Sequence, residues 1–127
     1  MADNYLPSDA ELALLQALWE GPESTVQEVH DWGKRTGREV GYTTVLTQLQ
    51  RMHRKGLVSR KRDGKQHRYS AVTDRATTEA ALVEKLSRTA FAGSPIRLAI
   101  RALGNDKPTA EELNELERWI ASQKDQP

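Results

Sequence analysis

The sequence predicts a mostly α-helical chain with one small β-wing. Three observations lead there. Boxes of Ser or Thr followed three residues later by Glu or Gln stand ahead of apolar runs, the spacing changes from helical to alternating after residue 56, and Asp63-Gly64 sits inside the alternating stretch. A capping box satisfies orphan backbone amides at a helix start, and Asp-Gly is a favoured two-residue hairpin turn. The 127 residues suit one domain of ordinary size, or a small domain with an appendage. With 37% hydrophobic and 6% aromatic residues, the core must be built mainly from Leu, Val, Ile and Ala.

Helix one opens at the box Ser8-Asp9-Ala10-Glu11, carries Leu12, Leu15, Leu18 and Trp19 on one face, and stops near Gly21-Pro22. Ser24-Thr25-Val26-Gln27 repeats the box and starts helix two, with Val26, Val29 and Trp32 at helical spacing and Gly37 as its C-terminal cap. Helix three spans about 43–55, with Val45, Leu49 and Met52 at i, i+4 and i+7 and Gly56 past its end. Segments 57–62 and 66–72 then read as two strands around Asp63-Gly64. Three helices followed by a basic hairpin is the order of a winged helix-turn-helix, with 43–55 as recognition helix and 58–71 as wing.

The composition shifts after Val72. Segment 74–91 is helical, with Leu82, Val83, Leu86 and Ala90 in a stripe. Ser94-Pro95 opens a helix holding Ile96, Leu98, Ala99, Ile100 and Leu103, ended by Gly104. Thr109-Ala110-Glu111-Glu112 starts a last helix with Leu113, Leu116, Trp119 and Ile120. These helices follow a complete small domain and have little of their own to pack on. We expect residues 1–73 to form the winged-helix domain and 74–127 a helical dimerisation domain.

Charge is segregated along the chain. Residues 1–33 hold seven acids and no Lys or Arg, 34–69 hold eleven basic residues against Glu39 and Asp63, and 70–127 are near balance, so a net charge of +1 conceals a middle segment of +9. Such a segment suits a polyanion partner. The absence of cysteine removes disulfides, thiolate metal sites and Cys nucleophiles, and fits a reducing compartment. No apolar run reaches the length of a membrane span and residues 1–10 have no signal-peptide pattern, so a cytoplasmic protein away from membranes is expected.

Several stretches together carry a family resemblance. They are Ser8-Asp9-Ala10-Glu11 with Leu18-Trp19, Thr25-Val26-Gln27-Glu28-Val29, Gly41-Tyr42-Thr43-Thr44-Val45-Leu46-Thr47 with Leu49-Gln50-Arg51-Met52, and Lys55-Gly56-Leu57-Val58. The wing, Arg62-Asp63-Gly64-Lys65 to His67-Arg68-Tyr69, and the closing Glu111-Glu112-Leu113-Asn114-Glu115-Leu116 complete them. Over nearly its full length the chain resembles the penicillinase-repressor (BlaI/MecI) family of bacterial transcriptional regulators. The resemblance implies a dimeric DNA-binding repressor with a C-terminal helical dimerisation domain. Two departures stand out. Gln48 occupies a position where members often carry Leu, which either thins the packing or turns an amide towards DNA. Better-known members are released when a membrane-bound protease sensor cuts an Asn-Phe bond in the penultimate helix, and the matching place near Arg101-Ala102 lacks that signal. A regulatory protease or sensor protein is thus a partner that the resemblance implies and the cleavage site does not support.

The candidate DNA-contacting residues follow from the helix period. With Val45, Leu49 and Met52 facing inward, Thr43, Thr44, Thr47, Arg51 and Arg54 lie on the other side, with Tyr42 at the helix entry. Thr and Tyr hydroxyls can meet phosphates, the Thr methyl can meet thymine, and Arg can pair with guanine or phosphate. On the wing, Arg62 and Lys65 at the tip are best placed for backbone or minor-groove contact. The candidate dimer residues are Leu82, Leu86, Ile96, Ile100, Leu116, Trp119 and Ile120.

No catalytic constellation is visible. There is no phosphate loop and no Gly-x-Ser-x-Gly, and the histidines His30, His53 and His67 lie in separate elements, so neither enzyme activity, metal nor cofactor is expected. The reading is a homodimeric repressor of double-stranded DNA with a palindromic operator. Its alternatives are a repressor sensing a small ligand between wing domain and helical arm, or a winged-helix protein-interaction module without specific DNA binding.

Overall fold

The computed structural model describes residues 6–126, so sequence readings for 1–5 and 127 lie outside the described residues. The order is α1 (Asp9–Glu20), β1 (Ser24–Thr25), α2 (Val26–Arg35), α3 (Tyr42–Lys55), β2 (Val58–Asp63), β3 (Gln66–Ala71), α4 (Arg75–Ala90), α5 (Pro95–Asn105) and α6 (Ala110–Lys124). The three strands form an antiparallel sheet in the order β1-β3-β2. This is the winged-helix arrangement that the sequence predicts, with a third, two-residue strand added.

That added strand moves one cap. The expected box Ser24–Gln27 is instead Thr25–Glu28: the Glu28 amide donates to the Thr25 hydroxyl at 3.1 Å and the Thr25 amide to the Glu28 carboxylate at 2.9 Å. Thr25 is extended, so it can cap α2 and still pair with Arg68 in the sheet, while Ser24 turns its hydroxyl back to the Gly21 carbonyl. The hairpin shifts likewise. Its ladder closes at Asp63 opposite Gln66, so the two-residue turn is Gly64-Lys65, and φ of +64° at Gly64 is the left-handed value a type II′ turn needs first.

The core of the winged-helix unit is Leu14, Leu15 and Leu18 of α1, Val26 and Val29 of α2, Val45, Leu49 and Met52 of α3, with Val58 and Tyr69 from the sheet. On α1 the inward face is therefore centred on Leu14, Leu15, Ala17 and Leu18, with Leu12 and Trp19 at its edge. Trp19 is drawn to that edge because its indole N–H donates to the Thr73 carbonyl at 2.9 Å, while the Arg75 guanidinium lies 5.6 Å from its ring.

The chain divides into two compact units, Met1–Leu82 and Val83–Pro127. In the second, α4 stops where Ala92 (φ +52°) and Gly93 (φ +79°) adopt left-handed backbone, and the Phe91 and Gly93 amides both donate to the Ser87 carbonyl. Ser94 then caps α5 with Pro95 at its first position, and Thr109 and Glu112 form the box of α6. The expected stop at Gly104 is one residue early, since α5 includes Gly104 and ends at Asn105. A lone glycine near a helix end costs only about 1 kcal/mol, too little to break the hydrogen-bond ladder. Neither α5 nor α6 buries a residue among those described.

Candidate nucleic-acid interface

Helix α3 has two unlike faces. Val45, Leu49 and Met52 are buried, while Tyr42, Thr43, Thr44, Thr47, Arg51 and Arg54 are all exposed. At 100° per residue, Thr43, Thr47, Gln50 and Arg54 fall on one narrow row opposite the buried one, with Thr44 and Arg51 on its flank. Gln50 is the member that sequence reasoning passed over. Its signal was present in the i, i+4, i+7, i+11 spacing of 43, 47, 50 and 54. All four side chains have hydrogen-bonding ends, and the row contains no acid.

The entry to α3 adds backbone donors. Gly41 caps the helix without a side-chain hydrogen bond, so first-turn amides are left without an intrahelical acceptor. α1, α2, α5 and α6 each satisfy such amides with a Ser or Thr hydroxyl. Amides pointing out of a helix start, at the positive end of the macrodipole, favour an anion. Tyr42 stands beside them, its ring edge-on to His30 at 6.2 Å and its surface 44% exposed.

Two further positions of α3 face partly into the protein. Leu46 is half-buried against the core. Gln48 is also half-buried, and its amide oxygen accepts from the Arg38 guanidinium at 3.2 Å, so this amide is engaged within the protein. Farther along, Lys55 reaches the buried Glu11 carboxylate at 3.0 Å, tying the end of α3 to the start of α1.

The wing sorts its charges by face. Residues paired across an antiparallel ladder share a side, so Arg60 and Arg62 lie with Tyr69 and His67, and Lys61 lies with Arg68. The second side is neutralised. Arg68 donates to Asp63 at 2.7 Å and to Glu28 at 3.4 Å, and Lys61 meets Glu23 at 3.2 Å. The Asp63 hydrogen bond, aided by the Asp63, Glu28 and Glu23 charges, raises the already high guanidinium pKa of Arg68. Arg60, Arg62 and Lys65 make no ion pair among the described residues, although Arg62 donates to the Gly64 carbonyl at 3.1 Å. Eight of the eleven cations of 34–69 are unpaired in this sense, the exceptions being Lys55, Lys61 and Arg68.

The candidate dimer residues are divided between exposure states. Leu86, Ile96, Ile100, Trp119 and Ile120 are exposed, Ile96 and Ile100 by 66%, whereas Leu82 and Leu116 are half-buried. Val83, Leu103 and Leu113 extend the exposed apolar surface of the second unit. Among the described residues no three His, Asp or Glu side chains cluster as metal ligands, and no helix is long and apolar enough to cross a membrane.

Comparison with known proteins assigns the chain to a family. The penicillinase repressor family model matches residues 7–122. The transcriptional regulator BlaI of Mycobacterium tuberculosis, from strains CDC 1551 and H37Rv alike, is 36% identical over 115 residues, covering 89% of this chain and 81% of its own. Among solved structures, a MarR family protein from Bacillus stearothermophilus is similar at TM-score 0.54 and 24% identity, over 95% of this chain and 75% of that one. The complex structure of hsRosR-S4 is similar at TM-score 0.53 and 14% identity, over 97% and 94%. These two likenesses show the fold alone. The family match spans both the helix-turn-helix with its wing and the helices after it, and the chain belongs to the penicillinase repressor family of winged-helix transcriptional regulators.

Proposed function

We propose that this chain is a homodimeric repressor that binds a palindromic or near-palindromic operator, with residues 1–73 on DNA and 74–127 joining two copies. The observation that carries the reading is the exposed, acid-free row of α3, set within a segment whose cations are mostly unpaired. In this reading α3 enters the major groove, where Thr43, Thr44, Thr47, Arg51 and Arg54 meet base edges and phosphates. Tyr42 and the first-turn amides hold a phosphate, and Arg62 and Lys65 at the wing tip hold the backbone beyond. Occupying the operator blocks a promoter sterically, so no catalytic group is required.

Dimerisation through Leu82, Leu86, Ile96, Ile100, Leu116, Trp119 and Ile120 is supported by the exposure of Leu86, Ile96, Ile100, Trp119 and Ile120 in the second unit, with Leu82 and Leu116 half-buried. A second copy would place two recognition helices on successive major-groove faces about 34 Å apart. Control by a protease or sensor protein is a further part of the family resemblance. Arg101 and Ala102 lie inside α5, so a protease would need that helix to unwind before cutting there. A small-ligand reading has its own observation: within the winged-helix unit a cavity of about 360 Å³ is lined by Leu15, Leu57, Val72, Thr78 and Ala81.

The test is fluorescence-anisotropy titration at ~150 mM salt, comparing the intergenic DNA upstream of its own gene with a shuffled duplex. A preference of ~10³-fold or more supports an autoregulated, sequence-specific repressor. Equal weak binding to that duplex and to genome-wide fragments refutes sequence-specific binding and favours the protein-interaction alternative.

A further inference from the structure

The two glutamines of α3 have different fates, and the difference assigns one of them a task. Gln48 lies towards the protein, half-buried, with its amide oxygen taken by Arg38. Gln50 is exposed and its side chain makes no hydrogen bond to a described residue, so both its N–H₂ and its side-chain carbonyl oxygen are available. Its place on the helix is central to the outward row: Thr47 stands one turn before it and Arg54 one turn after. Any duplex edge that meets Thr47 and Arg54 together also meets residue 50.

A primary amide presents a donor and an acceptor side by side. In the major groove, adenine offers the complementary pair, an acceptor at N7 and a donor at N6–H₂. Guanine offers two acceptors, cytosine a donor and thymine an acceptor beside a methyl group, so none of them satisfies both ends of the amide. Arg and Thr cannot supply this discrimination, because Arg only donates and a hydroxyl accepts either sense. We propose that Gln50 reads an adenine at one fixed position in each operator half-site and is the residue that sets that base. The inference rests on the DNA-binding reading above and specifies one contact within it.

The experiment selects bound duplexes from a randomised pool with the full chain, then measures competition against a set varying every position of the selected half-site. The wild type should prefer A·T at one position by about 5- to 150-fold. Gln50→Ala should flatten that position alone, leaving the other preferences and the salt dependence unchanged. Gln50→Glu, which keeps the acceptor and loses the donor, should move the same position towards cytosine. If Gln50→Ala retains every base preference, or weakens all duplexes equally, Gln50 is not the adenine reader and the repressor reading stands. If the wild type selects no sequence at all, the repressor reading fails and this inference with it.

Discussion

Replacing Lys65 with Ala should remove one phosphate contact and make log Kobs fall less steeply with log salt, by about 0.9. Between 50 and 200 mM salt, that amounts to about 3.5-fold less loss of affinity for each phosphate released. The wing makes the prediction selective. Lys61 and Arg68 face Glu23, Glu28 and Asp63, while Arg60, Arg62 and Lys65 have no acidic partner among the described residues. Removing these last three together should shallow the slope by about 2.7, which is roughly 40-fold over the same salt range. Lys61→Ala should leave the slope unchanged, since its charge is already balanced at 3.2 Å by Glu23. Arg68→Gln leaves Asp63 and Glu28 uncompensated, so it should weaken binding through repulsion at an unaltered slope. The assay is an anisotropy titration on one duplex at five salt concentrations. A slope change for Lys61→Ala equal to that for Lys65→Ala would refute the two-faced wing.

Other perturbations test the fold and the proposed assembly. Leu49 is 0% exposed at the centre of the core, so Leu49→Ala should cost about 2.7–5.0 kcal/mol in urea unfolding, and a loss below about 1 kcal/mol would contradict its central packing. Ile100→Asp, or Trp119→Ala, should shift the protein towards monomer in sedimentation at matched concentration; a retained dimer would place the interface elsewhere. Ala92 holds φ +52°, so Ala92→Gly should raise stability by up to about 1 kcal/mol, and a lower Tm by calorimetry would show that this left-handed residue is not strained. Hydrogen bonds from the Thr77 side chain and amide hold the Asp74 carboxyl below the usual carboxylate range. Its stabilising contribution is therefore present at neutral pH and lost as pH falls through that lowered value. The Tm difference between wild type and Asp74→Ala should narrow in acid; a constant difference would refute the charged cap.

Local chemistry made most elements legible in the sequence. Ser8–Glu11 and Thr109–Glu112 read correctly because a capping box is complete within four residues. The shifts at Thr25 and at the Gly64-Lys65 turn have a different origin, since the first depends on pairing with Arg68 in a strand far along the chain and the second on the register of β2 against β3. β1 has two residues, too few to show alternation. The face of α3 could be read from Val45, Leu49 and Met52 because its period is strict. Within the site, the engagement of Gln48 was not readable, because Arg38 approaches from a separate segment ten positions away, whereas the place of Gln50 on the outward row was present in the spacing. The split of the wing's charges was hidden for the same reason: Glu23 and Glu28 lie well before the hairpin, ahead of α3.

The length of the reading row bears on the proposed pairing of two copies. From Thr43 to Arg54 the helix rises about 16 Å at 1.5 Å per residue, which matches about five base pairs at 3.4 Å each. A fully specified site of five pairs recurs by chance about once per thousand positions, against the roughly 10⁶–10⁹ competing sites of a genome. Cations cannot close that gap, because phosphate contacts bind every sequence alike. A second row on the same duplex doubles the specified pairs to about ten, with chance recurrence near once per million, which reaches the lower end of that range. The winged-helix unit has buried its own apolar stripes and offers no such doubling. Most of the large apolar side chains left exposed, among them Val83, Leu86, Ile96, Ile100, Trp119 and Ile120, lie on α4, α5 and α6. The exposed apolar surface of the second unit and the short reading row of the first thus both support the proposed second copy of this chain.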